Sequence, residues 1–248
     1  MFELRGVTKR YDALTALHRL DLRVDAGSTL VLIGPSGSGK STLLRLLSGL
    51  DAPSEGTVHF ENAPFGPRSP APLRQRIGFV VQGGGLFPHL TARDNAAIVA
   101  RHLGWDAARR EARVQELAAL VRLPASALDR YPVQLSGGQA QRVSLMRALM
   151  LDPGVLMFDE PLGALDPITR YELQTDLREV FRRLHRTVII VTHDLGEAAF
   201  FADRILLMKD GHVLQDGTPR DLIERPADDF AARFVRAQRA PAASGTRP

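Results

Sequence analysis

The sequence predicts an α/β fold built on a mainly parallel β-sheet, and three observations support this. Short apolar runs typical of strands recur along the chain and alternate with segments at helical spacing. One such run, residues 29–33, leads into a glycine-rich loop and then a leucine-rich helix, as in a βα unit. Residues 91–151 are instead rich in Ala, Arg and Leu at helical spacing, which predicts an inserted helical block.

The predicted strands share short apolar or alternating sequences. They cover residues 2–7, 20–24, 29–33, 56–60, 77–81, 155–158, 188–192, 205–208 and 212–215. The helices predicted outside the helical block cover residues 40–50, 168–184, 195–201, 220–224 and 228–237. Within the block, Gly104, Pro124 and Pro132 predict breaks between helices.

These elements predict one domain over residues 1–236. Residues 1–90 and 152–236 are expected to form the α/β core, and residues 91–151 a helical subdomain. Residues 237–248 are rich in Ala, Pro, Gly and Ser, and we expect them to form a flexible tail too small to fold a sensor of ionic strength.

Composition narrows the class of protein. The net charge is +4, but 28 acidic residues nearly balance 32 basic ones and no long basic run occurs, so we do not expect a nucleic-acid partner. The chain has no cysteine, which excludes a disulfide framework or a thiolate metal site. No apolar run approaches the roughly 18–20 residues of a membrane span, and no secretory pattern opens the chain. We expect a cytoplasmic protein.

The glycine-rich loop has the spacing of a phosphate loop. Its residues are Gly34, Pro35, Ser36, Gly37, Ser38, Gly39, Lys40 and Ser41, followed by Thr42. Glycines allow backbone N–H groups to face phosphates at a helix N-terminus, Lys40 adds a positive charge, and the Ser41 hydroxyl can ligate Mg²⁺. The alternative is an ordinary Gly/Ser-rich turn, but the preceding strand, the following helix and the intact spacing favour a nucleotide site.

Two carboxylates follow the apolar run at residues 155–158. We expect this run to be a buried strand that places Asp159 and Glu160 at its carboxyl end. Asp159 is predicted to hold Mg²⁺, usually through water, and Glu160 to orient and polarise an attacking water. Alone, they could be surface carboxylates; after a phosphate loop, a catalytic role is favoured.

Between these two motifs, residues 135–139 read Leu-Ser-Gly-Gly-Gln. Ser136 is predicted to cap a helix, and Gly137 and Gly138 leave backbone N–H groups open to an anion, with Gln139 beside them. The chain already has one phosphate loop. We therefore expect the second phosphate-facing helix to contact ATP that is bound to a neighbouring chain.

In this order, residues 34–41, 135–139 and 155–160 resemble the ATP-binding subunit of an ATP-binding-cassette (ABC) transporter, over nearly the whole chain. The resemblance implies a phosphate-loop (RecA-like) nucleotide-binding domain with an N-terminal antiparallel β subdomain and an inserted α-helical subdomain. It implies ATP and Mg²⁺ as ligands. It also implies a two-fold dimer, with a second copy or a closely related subunit, that encloses two ATP molecules.

Four further residues match markers of the same family. Tyr11 matches the aromatic residue that stacks on adenine, and Gln82 the glutamine that senses Mg²⁺ and the attacking water. Asp166, at the end of residues 163–166, matches the key residue of a loop that crosses the dimer. His193 matches the histidine that contacts the γ-phosphate. The alternatives are a packing tyrosine and an ordinary histidine at a strand end.

Two segments resemble subgroups of the family. Residues 82–91, followed by Asp94 and Asn95, are close to the pattern in bacterial importers. Residues 160–170 end in Asp-Pro-Ile-Thr-Arg, similar to importers of glycine betaine, choline, carnitine and related osmoprotectants. The resemblance implies an ATPase at the cytoplasmic face of the cell membrane that energises a separate permease and, indirectly, a substrate-binding protein.

Other interpretations remain open. The solute could instead be an amino acid or an inorganic or organic anion. An ABC ATPase of DNA repair or translation usually has two cassettes or a long coiled coil, and a small-molecule kinase would leave residues 135–139 and His193 unexplained. For the permease we expect an apolar docking patch of Leu86, Phe87 and Leu90, unless these residues pack inside the helical subdomain.

Overall fold

The computed structural model describes residues 1–163 and 165–239. Within them the strands are β1 (Phe2–Tyr11), β2 (Leu14–Val24), β3 (Thr29–Ile33), β4 (Glu55–Phe60), β5 (Ala63–Pro64), β6 (Ile77–Val80), β7 (Val155–Asp159), β8 (Thr187–Thr192), β9 (Arg204–Lys209) and β10 (His212–Gly217). The helices are α1 (Lys40–Leu47), α2 (Ala71–Arg74), α3 (Ala92–His102), α4 (Ala107–Leu120), α5 (Gly137–Leu149), α6 (Pro167–Leu184), α7 (Leu195–Phe201), α8 (Pro219–Glu224) and α9 (Asp229–Arg239).

The strands form two sheets. The larger has the order β10-β9-β3-β8-β7-β6, and all its strands are parallel except β10, which runs antiparallel to β9 at one edge. The smaller has the order β2-β1-β4-β5 and is antiparallel throughout. The predicted parallel α/β core and the predicted N-terminal antiparallel subdomain are both confirmed.

The larger sheet is covered on both faces, which explains why its strands read as continuous apolar runs. In β3, Leu30 and Leu32 pack with the smaller sheet and the leucines of α1. Val31 and Ile33 face the other way, into a core shared with α3–α9. Successive side chains of a strand point to opposite faces, so this alternation separates the two cores.

The predicted helical block consists of α3, α4 and α5. Gly104 has φ +76° just after α3, and short 3₁₀ turns begin after Pro124 and at Pro132, so the predicted breaks are confirmed. Helix α5 also packs directly on β6. A β-carbon at Gly78 would lie 2.4 Å from the Ala148 carbonyl oxygen, so only glycine permits this approach. One continuous apolar core joins the helical block to the sheet.

Several boundaries differ from those predicted. Strands β1 and β2 extend to a tight turn in which Asp12 has φ +49°, and α1 ends at Leu47 because Gly49, at φ +69°, turns the chain. Helix α2 was not predicted, since its four residues are too few to show a period. Helix α9 continues through Arg239, so residues 237–239 of the predicted tail are helical, and residues 240–248 lie outside the described residues.

Across residues 1–163 and 165–239, no helix combines the length and the hydropathy that crossing a membrane requires.

Candidate nucleotide site

The candidate site lies at the carboxyl edge of four neighbouring strands. In the order β3-β8-β7-β6, these strands are followed by the phosphate loop, by His193, by the carboxylate pair and by the segment with Gln82. Residues far apart in the sequence meet there because the carboxyl ends of parallel strands share one edge of a sheet.

The phosphate loop is shaped by three glycines with positive φ angles. Gly34, Gly37 and Gly39 have φ values of +149°, +77° and +96°. A β-carbon would lie 2.1 Å from the Met208 carbonyl oxygen at Gly34 and 2.7 Å from the Ala16 carbonyl oxygen at Gly39. The loop is therefore held between the two sheets in a form that only glycine permits at these two positions.

Helix α1 begins immediately after this loop. Its N-cap is Gly39, which has no side chain that could accept a hydrogen bond from the first turn. The first N–H groups of a helix have no partner within the helix, and the helix dipole favours negative charge there. The N-terminus of α1 thus has the chemistry that binds a phosphate.

Lys40 is a buried cation beneath the loop. Its Nζ donates to the carbonyl oxygens of Gly34 at 2.9 Å and Pro35 at 2.8 Å, and to Ser38 Oγ at 3.2 Å. Burial lowers the pKa of Lys40, and the negative charges of Glu160 and Asp159 oppose this shift. The two predicted halves of the site are therefore close enough to interact electrostatically.

The residues predicted to hold Mg²⁺ provide hard oxygen donors. The Ser41 hydroxyl lies close enough to the Asp159 carboxyl group to affect its pKa. The pKa of Asp159 is raised by burial and by Glu160, against the opposing effects of Lys40 and Ser41. In the described part of the chain no group of three or more acidic, histidine or cysteine side chains is arranged to hold a metal. Mg²⁺ is usually bound by one or two protein oxygens together with phosphates and water, and Ser41 and Asp159 can supply those oxygens.

The three predicted catalytic residues meet at one carboxylate oxygen. Gln82 Nε2 donates to Glu160 Oε2 at 3.1 Å, and His193 Nδ1 lies 3.5 Å from the same oxygen. Each residue follows a different strand, so the contact depends on the sheet order. Glu160 is partly exposed and His193 mostly exposed, which leaves room for a substrate between them.

The backbone of Glu160 is strained. Its φ is +46°, a region that non-glycine residues rarely adopt, while its N–H donates to the Val191 carbonyl oxygen at 2.9 Å. Such strain costs about 1–3 kcal/mol and clusters at functional sites. Here it turns the carboxylate from the end of β7 towards Gln82 and His193.

Helix α5 begins as predicted. Ser136 Oγ accepts from the Gln139 N–H at 3.2 Å, and Gln139 Oε1 accepts from the Ser136 N–H at 3.1 Å, which together form a capping box. A β-carbon at Gly137 would lie 3.0 Å from Leu165 Cδ2, and one at Gly138 would lie 2.8 Å from Thr169 Cγ2. These glycines therefore also allow α5 to pack closely against the start of α6.

A cavity of about 310 Å³ joins this helix to the catalytic residues. Gln82, Glu160 and His193 line one part of it, and Gly137 and Leu165 line another. The three predicted catalytic residues and Gly137 thus line one open space at the surface of the chain.

Tyr11 lies near the turn between β1 and β2 and is 40% exposed. Its hydroxyl donates to Asp51 Oδ2 at 2.5 Å, and Lys9 Nζ lies 4.7 Å from the centre of its ring. The same hairpin contacts the phosphate loop, because Ala16 of β2 packs against Gly39. The Tyr11 ring thus belongs to the hairpin that contacts the phosphate loop, and part of its surface is open, as adenine stacking requires.

Asp166 is the N-cap of α6. One of its carboxylate oxygens accepts from the N–H groups of Ile168 at 3.1 Å and Thr169 at 3.0 Å, and hydrogen bonds from Thr169 lower its pKa. Capping accounts for its local geometry without any partner chain. Ala164, in the same loop, lies outside the described residues.

The predicted docking residues differ in how far they are buried. Leu86 is partly buried against the apolar core, whereas Phe87 is 42% exposed. The buried Asn95 shapes this segment, because its side chain accepts from the Phe87 N–H at 2.7 Å and donates to the carbonyl oxygens of Phe87 and Leu90.

A groove of about 500 Å³ opens beside this segment, between β6 and α3. Its lining is mainly apolar and includes Phe79, Val99, Leu103 and Leu151, together with Arg147.

Sequence reasoning did not identify the side chains that hold the segment after Gln82. Gly83, Gly84 and Gly85 all have positive φ, at +68°, +76° and +53°. Arg147 donates to the carbonyl oxygens of Gly84 and Gly85 at 2.7 Å, and Ser144 Oγ donates to that of Gly84 at 2.8 Å. The three consecutive glycines were the available signal, but their partners are 60 residues away along the chain.

The fold and the site together define a class of protein. In phosphate-loop nucleotide-binding domains a glycine loop joins a parallel strand to a helix, and acidic residues follow a neighbouring strand. In this chain β3 and β7 lie on either side of β8 and deliver those two features to the same edge. The chain is a phosphate-loop domain with an added antiparallel sheet and an inserted helical block.

Comparison with known proteins identifies the family. The family model described as "ABC transporter" matches residues 17–163, more than half of the chain. The choline transport ATP-binding protein OpuBA of Bacillus subtilis (strain 168) is 40% identical over 240 residues, which are 96% of this chain and 63% of OpuBA. This protein belongs to the ABC transporter family, as its motifs predicted, and it spans less than two thirds of the length of that relative.

Two further similarities agree with this assignment. The glycine betaine uptake system ATP-binding protein YehX of Escherichia coli (strain K12) is 44% identical over 234 residues, 94% of this chain and 76% of YehX. The dimeric post-hydrolysis structure of the ATP-binding cassette MJ0796, bound to ADP and Pi, has a TM-score of 0.79 at 35% identity and covers 89% of this chain and 99% of that chain. The predicted fold class is confirmed.

Proposed function

We propose that this chain is the ATP-hydrolysing subunit of an importer for quaternary amines such as glycine betaine, choline or carnitine. The observation that carries the proposal is the meeting of Gln82, Glu160 and His193 beside the phosphate loop. The solute class is supported by relatives named for choline transport and for glycine betaine uptake.

In the proposed reaction the N–H groups of the phosphate loop and Lys40 bind the phosphates of ATP. Ser41 and Asp159 would hold Mg²⁺, which supplies charge neutralisation on the phosphates. Glu160 accepts a hydrogen bond from the attacking water and polarises it, and Gln82 orients the carboxylate. His193 stabilises the negative charge that develops on the γ-phosphate.

We propose that ATP is enclosed between two such chains. The capped N-terminus of α5 carries N–H groups suited to an anion, and the similar solved cassette MJ0796 is dimeric. Ser136, Gly137, Gly138 and Gln139 would then contact the γ-phosphate bound by the partner chain, and Asp166 would lie at the contact between the chains.

A permease is the second proposed partner, seated in the groove beside β6. The groove is lined by apolar side chains and by Arg147, whose guanidinium also holds the carbonyl oxygens of Gly84 and Gly85. An occupant of the groove would thus touch a side chain that is bonded to the segment directly after Gln82. Docking there would place this chain at the cytoplasmic face of the membrane.

The proposal is tested with Glu160→Gln. We expect the variant to bind ATP but to release phosphate about 10²–10⁴-fold more slowly, the usual effect of removing a proton acceptor. Because unhydrolysed ATP would hold the two chains together, the variant should elute as a dimer in size-exclusion chromatography with ATP and Mg²⁺. Hydrolysis at the wild-type rate would contradict the assignment of Glu160.

The solute is tested by transport. The chain would be co-expressed with its candidate permease and binding protein, and uptake of radiolabelled choline and glycine betaine compared with that of an amino acid. Uptake that requires ATP hydrolysis and selects the quaternary amines supports the proposal. Selective uptake of the amino acid would assign a different solute.

A further inference from the structure

A polar junction holds the backbone on both sides of His193. The Thr192 hydroxyl donates to Glu197 Oε2 at 2.8 Å and accepts from the Asp194 N–H at 3.1 Å. Asp194 Oδ1 in turn accepts from the Glu197 N–H at 2.9 Å and so caps α7. His193 is the single residue between Thr192 and Asp194, so the direction of its side chain depends on this junction.

Arg170 connects the junction to the loop that follows Glu160. Its Nη2 donates to the Leu165 carbonyl oxygen at 3.2 Å, and its Nη1 lies 3.9 Å from Asp194 Oδ2. Leu165 belongs to residues 163–166, which are expected to cross the dimer. One side chain therefore contacts both this loop and the turn that carries His193.

The junction contains two buried atoms without hydrogen-bond partners. They are Glu197 Oε1 and Arg170 Nε, and the whole Glu197 residue is only 7% exposed. A buried carboxylate with an unpaired oxygen destabilises a fold, and an apolar residue of similar size would avoid that cost. The general requirements of stability do not explain an acidic residue at this position.

We propose that Glu197, Asp194 and Arg170 are positioning residues that orient His193 and make its orientation depend on residues 163–166. The inference rests on the proposed function, in which His193 acts on the γ-phosphate. Contact of loop 163–166 with a partner chain is transmitted through Arg170 to Asp194, and from Asp194 to His193 of the same chain. Hydrolysis is thereby linked to formation of the dimer.

The charge of Glu197 supports this role. The pKa of Glu197 is raised from 4.5 to about 7, chiefly by burial and to a smaller extent by Asp194 and Glu160, while the hydrogen bond from Thr192 and the charge of Arg170 oppose the shift. The carboxyl group therefore changes charge near neutral pH, within reach of Arg170 and beside the turn that holds His193.

The first experiment measures steady-state ATP hydrolysis of the full chain as a function of pH. We expect Glu197→Ala to lower kcat by on the order of 10- to 100-fold, the size expected when a reacting group is misplaced by about 1 Å. The KM for ATP should change less than about two-fold, because the phosphate loop is untouched. The exposed Glu116→Gln is the matched control and should behave as wild type.

The second experiment is a double-mutant cycle. If Glu197 acts through His193, Glu197→Ala should have no further effect on kcat in a His193→Ala background. Glu197→Gln, which keeps the shape and one amide oxygen as acceptor, should restore most of kcat at pH values where the carboxyl group is protonated, but lose the inflection near pH 7. Equal, multiplicative losses from the two alanine substitutions would overturn the proposal, as would a wild-type kcat for Glu197→Ala.

These results separate the inference from the proposed function. If Glu160→Gln is inactive while Glu197→Ala hydrolyses ATP as wild type does, only the inference fails. If Glu160→Gln retains the wild-type rate, the proposed function fails as well.

Discussion

The buried Glu197 predicts a specific dependence of stability on pH. Its pKa is raised from 4.5 to about 7 in the folded chain. Between pH 4.5 and pH 7 the carboxyl group is therefore mainly protonated in the folded state and mainly ionised in the unfolded state. The contribution of Glu197 to the free energy of unfolding is therefore fully present below pH 4.5 and decreases as pH rises. The decrease is complete above pH 7. Glu197→Gln has no proton to release and should escape this loss.

The size of the effect follows from the shift. The difference between about 7 and 4.5 is roughly 2.5 pKa units, which at 1.36 kcal/mol per unit is about 3 kcal/mol in total. About 2 kcal/mol of this loss of stability occurs between pH 5.5 and pH 8, because the rest has already occurred at pH 5.5. The wild type should lose about this much more stability than Glu197→Gln over the same range.

Urea unfolding of the wild type, Glu197→Gln and Glu116→Gln at pH 5.5, 7 and 8 measures this difference. The difference in free energy of unfolding between the wild type and Glu197→Gln should widen by about 2 kcal/mol from pH 5.5 to pH 8. Glu116→Gln should follow the wild type, since Glu116 is an exposed partner of Arg113. Parallel curves for the wild type and Glu197→Gln would show that this carboxyl group has an ordinary pKa.

Two further predictions concern the phosphate loop and the segment after Gln82. Lys40→Ala should abolish detectable binding of a fluorescent ATP analogue, because Lys40 is the only cationic side chain of the loop. The circular-dichroism spectrum should be unchanged. Hydrolysis of ATP at the normal rate would contradict the assignment of the phosphate loop. Gly85→Ala should lower the free energy of unfolding by about 1–3 kcal/mol and reduce hydrolysis, since its β-carbon would lie 2.4 Å from Val81 Cγ2 at φ +53°. Gly104→Ala is its control: the β-carbon has open space at φ +76°, so a loss of about 1 kcal/mol and no loss of hydrolysis are expected.

Most elements were predictable because their patterns are local. The apolar runs of β3, β7 and β8 and the helical period of α6 each indicate an element without reference to the rest of the chain. The cap at Ser136 follows the same logic, since a capping box involves residues three apart. The short α2 was missed because four residues are too few to show a period, and the added residues of β1 and β2 were missed because their stability comes from strand pairing.

By itself, the sequence determined the family, the fold class and the identity of the candidate site residues. These depend on residue type and order along the chain, as in residues 34–41 and 135–139. The tertiary structure alone decided how those residues meet. The order β3-β8-β7-β6 brings Gln82, Glu160 and His193 to a single carboxylate oxygen, and close packing of α6 and α7 places Arg170 beside Asp194 and buries Glu197. Local sequence does not specify which strand ends become neighbours or how much water they exclude. The strand order sets the distances in the site, and the exclusion of water sets the pKa values.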